Sequence, residues 1–220
     1  MGVVKKKLPE FKGFAVQYDP AKKPFFVSMV LEDLRKIAEA PLGYQLLKAI
    51  ADARPSKRSA SSTSNAEAKK ITFSHGINIV AVPTDMTFTQ SGFKMDWSGV
   101  GVEKTMKPSL AAPHNVAGCP YHPAGGSCAE AADIIAAGDG TGSVSIMKYT
   151  NAQIITSKGE ATQSFLVLAH ELIHSLHHLQ GTRKDTGEED WTTGLGLYVG
   201  EPMSENAFRR AFGLQPRMSY

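Results

Sequence analysis

The residues with the clearest chemical potential stand together as His170-Glu171-Leu172-Ile173-His174, the pattern HExxH. In a helix, residues four apart lie on the same face, so both imidazoles can bind one Zn²⁺ at about 2.0–2.1 Å. Glu171 lies about a quarter-turn from that line, where it can take a proton from metal-bound water rather than bind the metal. The spacing therefore indicates the zinc site of a metal-dependent hydrolase.

The sequence around this pattern predicts a well-delimited helix within residues 161–181. A glycine, Gly181, stands where such a helix would stop. Two imidazoles and a carboxylate would be costly to bury in an apolar helix without a metal partner. The apolar residues recur at helical intervals at Phe165, Leu166, Ala169, Leu172, Ile173, Leu176 and Leu179.

A catalytic zinc usually has a third protein ligand and keeps its fourth position for water. A third histidine six residues after His174 is absent, because Gln180 stands there, so the metzincin pattern is excluded. The third ligand is therefore expected to be a carboxylate further along the chain. Spacing alone does not choose among the candidates, which are Asp185, Glu188, Glu189, Asp190, Glu201 and Glu205.

Further elements must support this helix. Apolar spacing over residues 27–53, interrupted by a proline and a glycine, predicts a helical hairpin. Residues 54–70 are rich in Ser, Ala and Lys and are expected to form an exposed, mobile loop. Short strands are expected within residues 71–83 and 92–102. Alternation of apolar and polar residues over residues 143–149 indicates a half-buried or edge strand. We expect this strand to border the substrate cleft and to pair with an extended substrate peptide.

Composition excludes several classes of protein. The chain has 220 residues, of which 42% are hydrophobic and 20% charged, enough for one core. Its longest apolar runs are far shorter than the roughly 18–20 residues of a membrane span, so we expect a soluble protein. Two cysteines cannot form a disulfide framework. The first residues lack the apolar stretch of a secretory signal peptide.

Charge is distributed unevenly along the chain. Residues 1–70 carry 14 Lys and Arg against 7 acids, whereas the remainder carries 10 against 14. A basic arm can bind nucleic acid or an anionic membrane surface. The lysines are scattered and few aromatic residues accompany them, which favours a solvated, flexible leader over residues 1–27. Binding to an anionic surface through this leader remains an alternative.

Two other groups of histidines have simpler interpretations. His177 and His178 could assist the zinc ligands or line the substrate cleft, but such residues are more often partly exposed positions of a helix. The other group contains both histidines and cysteines. Its spacing matches no standard zinc finger, so this segment is interpreted as an ordinary loop. The group consists of His114, Cys119, His122 and Cys128.

The segment from His170 to Gly181, HELIH-x-x-H-x-L-x-G, resembles the zinc helix of clostridial neurotoxin light chains and of the NleD-like type III effector metalloproteases, peptidase family M91. Three more stretches resemble the second family. They are APLGYQLLKAI at residues 40–50, EEDWTTGLG at residues 188–196 and SENAFRRAFGLQPRMSY at residues 204–220.

The resemblance implies an α+β, zincin-like (gluzincin) metalloprotease domain over residues 28–220, with the HExxH helix and a small mixed sheet. It implies a single zinc ion on His170, His174 and Glu189. Glu188 would then contact a zinc ligand without binding the zinc ion itself. In this family a string similar to E-L-R-T usually follows the ligand, whereas this chain has Asp190 and Trp191 before Thr192.

The C-terminal residues match a second part of the neurotoxin-like pattern, an acid twelve residues before an arginine and then Arg-x-x-Tyr. Glu205, Arg217 and Tyr220 have this spacing. By resemblance Glu205 orients a ligand, while Arg217 and Tyr220 donate to the negative charge that develops on the peptide oxygen. Glu205 also remains an alternative third ligand, because Ser204 can cap a short helix there.

The implied function is that of a zinc metalloendopeptidase delivered by a bacterial type III system into the cytosol of a host cell. Its expected substrates are host signalling proteins, with mitogen-activated protein kinases as the first candidates. We expect a monomer that neither binds nucleic acid nor inserts into a membrane. The alternative is a zinc-containing effector that binds a host protein without cutting it.

Overall fold

The computed structural model describes most of the chain that carries the predicted chemistry. It describes residues 4–12, 14–53, 77–81, 86–89, 92–95, 104–106, 128–131, 133–149, 154–155 and 161–218. Several predicted features lie outside these residues, namely the loop at residues 54–70, His114, Cys119, His122 and Tyr220.

Helices and strands both contribute to the fold, as an α+β class requires. The helices are α1 (Phe26–Ala38), α2 (Pro41–Asp52), α3 (Ser164–Gln180), α4 (Glu188–Thr193) and α5 (Glu205–Ala211), with a 3₁₀ helix at Gly196–Tyr198. The strands are β1 (Val4–Lys7), β2 (Phe14–Tyr18), β3 (Ile77–Ala81), β4 (Met86–Thr89), β5 (Gly92–Met95), β6 (Lys104–Met106), β7 (Cys128–Ala131), β8 (Ser145–Tyr149), β9 (Ile154–Ile155) and β10 (Ala161–Thr162).

A five-stranded mixed sheet in the order β1-β2-β3-β8-β7 forms one layer of the fold. Strands β2, β3 and β8 run parallel, and antiparallel strands β1 and β7 close the two sides. The predicted strand at residues 143–149 is therefore present, but it is an internal strand, since β3 and β7 both pair with it. The described strand at that side of the sheet is β7. The expectation that residues 143–149 offer a free edge was wrong.

The flexible leader predicted for residues 1–27 also needs correction. Its described residues supply β1, β2 and the start of α1, and Phe14, Ala15 and Val16 are buried. Three of the six lysines in this segment, Lys5, Lys6 and Lys7, lie on β1, whose four residues are all exposed. Burial of β2 depends on its pairing with β3, which lies far along the chain and leaves no local signal.

The predicted helical hairpin is confirmed by α1 and α2, which pack against each other and against α3. Apolar residues from both helices join one core with β2, β8 and α3. A buried carboxylate, Asp33 of α1, accepts hydrogen bonds from the Tyr149 hydroxyl of β8 and the Ser164 hydroxyl of α3. These contacts connect the hairpin, the sheet and the start of α3.

Helix α3 is buried along almost its whole length, with every residue from Phe165 to Leu179 in the interior. It contacts α1, α2, β7, β8, α4 and α5. Gly181 ends it in the left-handed conformation, with φ of 72°, as predicted. None of the helices in the described residues combines the length and the apolar character that crossing a membrane would require.

Gly43 allows the two helices of the hairpin to approach closely. A Cβ atom placed on Gly43 would lie only 1.8 Å from the backbone oxygen of Ile37 at the end of α1. We therefore expect Gly43→Ala to lower the free energy of unfolding by about 1–3 kcal/mol, since the helices would have to separate. In a helix with free space at this position, a Gly-to-Ala change would instead raise the free energy of unfolding by up to about 1 kcal/mol.

Chemical denaturation of the purified variant measures this effect. The control is Tyr44→Ala in the same helix, where the side chain is 63% exposed, so its loss should change the free energy of unfolding by less than about 0.5 kcal/mol. An unchanged or increased stability of Gly43→Ala would contradict the close packing of α1 on α2.

Candidate metal centre

Helix α3 carries three of the predicted site residues into the interior. His170, Glu171 and His174 are all buried, with exposed fractions of 5%, 3% and 6%. The helical register brings the Nε2 atoms of His170 and His174 within 3.1 Å of each other. Two imidazoles thus present nitrogen atoms to a single point, as the sequence spacing required.

Helix α4 brings Glu189 to the same point. The chain reverses after α3 and enters α4 at Gly187, which has φ of 72°. The Oε2 atom of Glu189 lies 3.3 Å from His170 Nε2 and 3.1 Å from His174 Nε2. A tetrahedral ion with ligand bonds of about 2.0–2.2 Å separates its ligands by about 3.3–3.6 Å. The three donor atoms therefore have the chemistry and nearly the spacing needed to hold a metal ion.

Glu205 stands behind His170, on the side away from these donors. Its Oε2 atom accepts a hydrogen bond from His170 Nδ1 at 3.0 Å. Ser204 caps α5 by accepting from the backbone N–H of Ala207 at 3.2 Å, which places Glu205 in the first turn. Glu205 thus fixes the orientation of the His170 ring and directs Nε2 towards Glu189 and His174.

Two arginines neutralise the buried Glu205 carboxylate. Arg209 Nε donates to its Oε1 atom at 2.7 Å, and Arg217 Nη1 donates to its Oε2 atom at 3.0 Å. Burial alone would raise the pKa of Glu205, but the hydrogen bond with His170 and the charges of Arg217 and Arg209 outweigh it and lower the pKa to about 2. Asn206 holds the segment in place, since its side chain exchanges hydrogen bonds with the backbone N–H and oxygen of Arg217.

Glu188 holds His174 as Glu205 holds His170. Its Oε1 atom accepts from His174 Nδ1 at 3.1 Å and from His177 Nδ1 at 2.7 Å, while Oε2 accepts from the backbone N–H of Lys184 at 2.9 Å. Burial opposes ionisation of Glu188, but the two histidines overcome it and lower the pKa of Glu188 below its usual range. Each of the two predicted ligand histidines thus hydrogen-bonds through Nδ1 to a different carboxylate.

The environment of Glu171 differs from that of the other carboxylates. Burial raises its pKa to about 7, although the nearby His170 and His174 act in the opposite direction. A hydrogen bond from the backbone of Ala129 in β7 also reaches it. A carboxylate with a pKa near neutrality can both accept and return a proton at physiological pH.

The pKa values of the two predicted ligand histidines are raised by the carboxylates around them. Burial lowers the pKa of His170, but hydrogen bonds with Glu189 and Glu205 reverse this and raise it to about 9. The pKa of His174 is likewise raised, since the charge of Glu189 and the hydrogen bond with Glu188 outweigh burial. Metal binding, which requires neutral imidazoles, would therefore release protons from these histidines.

The structure brings together most of the residues predicted from the sequence. His170, Glu171, His174, Glu188, Glu189, Glu205 and Arg217 share one buried cluster. Other candidates lie elsewhere: Asp185 pairs with Arg183, Glu201 accepts from the Trp191 indole, and Asp190 is exposed. Tyr220 lies outside the described residues, so its predicted role is not placed.

Several contributors to the site do not stand out in the sequence. His177 and His178 are 4% exposed each, so their interpretation as partly exposed residues was wrong. His178 contacts the Ser145 hydroxyl of β8 rather than the metal site. Arg209 could have been recognised, because it stands four residues after Glu205 in one helix, the spacing of an ion pair. The contact of His177 with Glu188 joins two helices and has no local signature.

Comparison with known proteins identifies the class. The family model of Peptidase_M91, described as effector protein, matches residues 16–220. The chain therefore belongs to this peptidase family of effector proteins, as the sequence resemblance predicted. No curated protein matches the chain.

Solved structures of clostridial proteins are also similar to the chain. The Clostridium botulinum neurotoxin serotype F light chain is 18% identical over 89% of this chain and 50% of its own length, with a TM-score of 0.44. The botulinum neurotoxin type D light chain is 16% identical over 96% of this chain and 64% of its own length, with a TM-score of 0.46. The chain thus spans about half to two-thirds of the length of these light chains.

The donor geometry predicts different metal contents for two glutamate variants. Glu189→Ala removes one of three donors and is expected to abolish stoichiometric zinc binding. Glu205→Ala leaves the three donors in place but removes the hydrogen bond to His170 and the carboxylate that pairs with Arg209 and Arg217. It is expected to retain zinc with about 10–100-fold weaker affinity. Metal content by mass spectrometry, after equilibration with a chelating buffer, measures both.

Circular dichroism shows whether each variant is folded before the metal is counted. Glu205→Gln serves as a second variant, because it keeps the packing around Arg209 and Arg217. Loss of zinc from the Glu205 variants with retention in Glu189→Ala would reverse the ligand assignment.

Proposed function

We propose that this protein is a zinc-dependent endopeptidase. The observation that carries the proposal is the convergence of His170 Nε2, His174 Nε2 and Glu189 Oε2 within 3.1–3.3 Å, next to the buried Glu171. Membership of a peptidase family of effector proteins supports the same activity. The ligand set is that of catalytic zinc sites with two histidines and one glutamate, which leave a position for water.

Glu171 is the proposed general base and acid. His170, His174 and Glu189 would hold the zinc ion, which would supply a Lewis acid that lowers the pKa of water to about 7 and polarises the scissile carbonyl. The Glu171 carboxylate accepts the proton of the attacking water and returns it to the leaving amine nitrogen. Its pKa of about 7 suits both transfers. Glu188 and Glu205 keep the histidine rings oriented during the reaction.

Arg217 is proposed to stabilise the charge that develops on the substrate oxygen, together with Tyr220. The Arg217 side chain is 18% exposed and is held by Glu205, which itself contacts His170. A guanidinium held in place by a buried carboxylate can donate to an oxyanion without reorganisation during the reaction. Tyr220 is included because of the Arg-x-x-Tyr spacing.

Strand β7 is the proposed docking strand for an extended substrate. It pairs with β8 on one side, and a backbone hydrogen bond from Ala129 reaches the Glu171 carboxylate. A peptide that adds to a sheet edge in extended conformation presents its carbonyl groups at regular intervals. Pairing along β7 would thus bring a scissile carbonyl beside the proposed base.

Glu171→Ala tests the catalytic assignment. The change leaves the three proposed ligands in place, so one zinc ion per chain should remain bound. Cleavage of a protein substrate should fall by about 10²–10⁴-fold or more, because proton transfer is lost. Zinc content and product formation are measured on the same preparation. Proteolysis at the wild-type rate in this variant would exclude the proposed mechanism.

Membership of a family of effector proteins supports a function in a host cell. We propose that the protein reaches the host cytosol through a bacterial type III system and acts there as a monomer on a protein substrate. Mitogen-activated protein kinases are the proposed substrates, cut in the activation loop. This assignment rests on the resemblance of the zinc helix and of residues 188–196 and 204–220 to NleD-like effectors.

Purified host kinases test the substrate. The zinc-loaded protein is incubated with mitogen-activated protein kinases and with unrelated kinases, and the product masses locate any cut. We expect one cut within the activation loop of the former and none in the latter. The Glu171→Ala protein is the matched control. A zinc-loaded protein that binds these kinases but leaves them and generic peptides intact would favour a binding effector without proteolytic activity.

A further inference from the structure

A stack of aromatic rings lies beside the metal centre. The Trp191 indole of α4 is parallel to the His177 imidazole of α3, with an interplanar angle of 6° and ring centroids 3.7 Å apart. The same His177 ring donates through Nδ1 to Glu188 at 2.7 Å. One histidine therefore contacts α4 twice, once through its face and once through its edge.

Trp191 is held on its other sides as well. The Lys184 ammonium lies 4.3 Å from the centre of the Trp191 ring and 4.7 Å from that of Tyr198, within the range of cation–π attraction. The indole Nε1–H donates to Glu201 Oε2 at 3.1 Å. The indole is thus fixed by His177, Lys184 and Glu201, which come from three different segments.

Helix α4 depends on such contacts for its position. It has only six residues, too few for a helix to be stable without tertiary contacts. Yet it carries Glu189, the third proposed ligand, and Glu188, which holds His174. A displacement of α4 by 1 Å would lengthen the distances from both carboxylates to the histidines of α3.

We propose that the stack of Trp191 on His177, covered by Lys184, is a clasp that locks α4 to α3 and sets Glu189 and Glu188 against the ligand histidines. Trp191 and His177 are positioning residues in this proposal, which rests on the proposed metal site. They act through Glu188 and Glu189, and neither is one of the three proposed zinc ligands. The expected consequence is tighter zinc binding.

Zinc affinity tests the clasp without reference to catalysis. The zinc dissociation constant is measured by competition with a chelator for the wild type, Trp191→Ala and Trp191→Phe. We expect an increase of about 10–100-fold for Trp191→Ala. Trp191→Phe keeps a ring that can stack on His177, so it should recover part of the affinity. The control is Gln180→Ala, an exposed position at the end of the same α3.

A second variant separates the two contacts of His177. His177→Phe keeps a ring for the stack but loses the donor to Glu188, so it should weaken zinc binding while the helix content stays unchanged. If Trp191→Ala does not fold, Trp191→Phe and His177→Phe still decide the question. Each variant is checked by circular dichroism before titration, so that affinity is measured on folded protein.

The results that would overturn the clasp differ from those that would refute the proposed metal site. A merely structural role for the stack would lower the stability of the metal-free variants and leave the zinc dissociation constant unchanged, which would overturn the clasp. Two zinc ions bound per wild-type chain would also overturn it, because a second ion on His177 and Glu188 would replace their hydrogen bond. Failure of the wild type to bind zinc would instead refute the metal site itself.

Discussion

The burial of α3 is the constraint on which the rest of the structure depends. Desolvation makes unpaired imidazoles and carboxylates costly, so each polar group on this helix must meet a partner. The partners come from α1, β7, β8, α4 and α5. Among the buried side chains that the structure describes, only Thr193 Oγ1 has no hydrogen-bond partner. The C-terminal segment thus completes the core chemically as well as sterically.

Charge balance explains why the cluster suits a divalent cation. Four carboxylates and two guanidinium groups surround the ligand histidines, which leaves an excess of negative charge when the histidines are neutral. The groups are Glu171, Glu188, Glu189, Glu205, Arg209 and Arg217. Hydrogen bonds with Glu189 and Glu205 overcome the effect of burial and raise the pKa of His170 to about 9, so protons compete for its ring nitrogens. A bound cation would release those protons, so metal binding and protonation compete for the same place.

Local patterns predicted the parts of the fold that local spacing controls. The α3 helix with its end at Gly181 and the hairpin of α1 and α2 follow from apolar periodicity and from residues that stop a helix. The assignment of residues 1–27 to a leader was wrong because β2 becomes part of the core only by parallel pairing with β3. The place of β8 within the sheet likewise depends on two partners that its own sequence does not specify.

By itself, the sequence determined the HExxH helix, the face on which His170 and His174 project, and the family to which the chain belongs. Helical geometry alone is enough for the first two, since residues four apart are neighbours in any α-helix. Only the tertiary structure decided which of six downstream carboxylates approaches the Nε2 atoms, and that Glu188 and Glu205 lie behind the rings. Those contacts join α3 to helices separated from it by turns, and such distances depend on packing rather than on spacing along the chain.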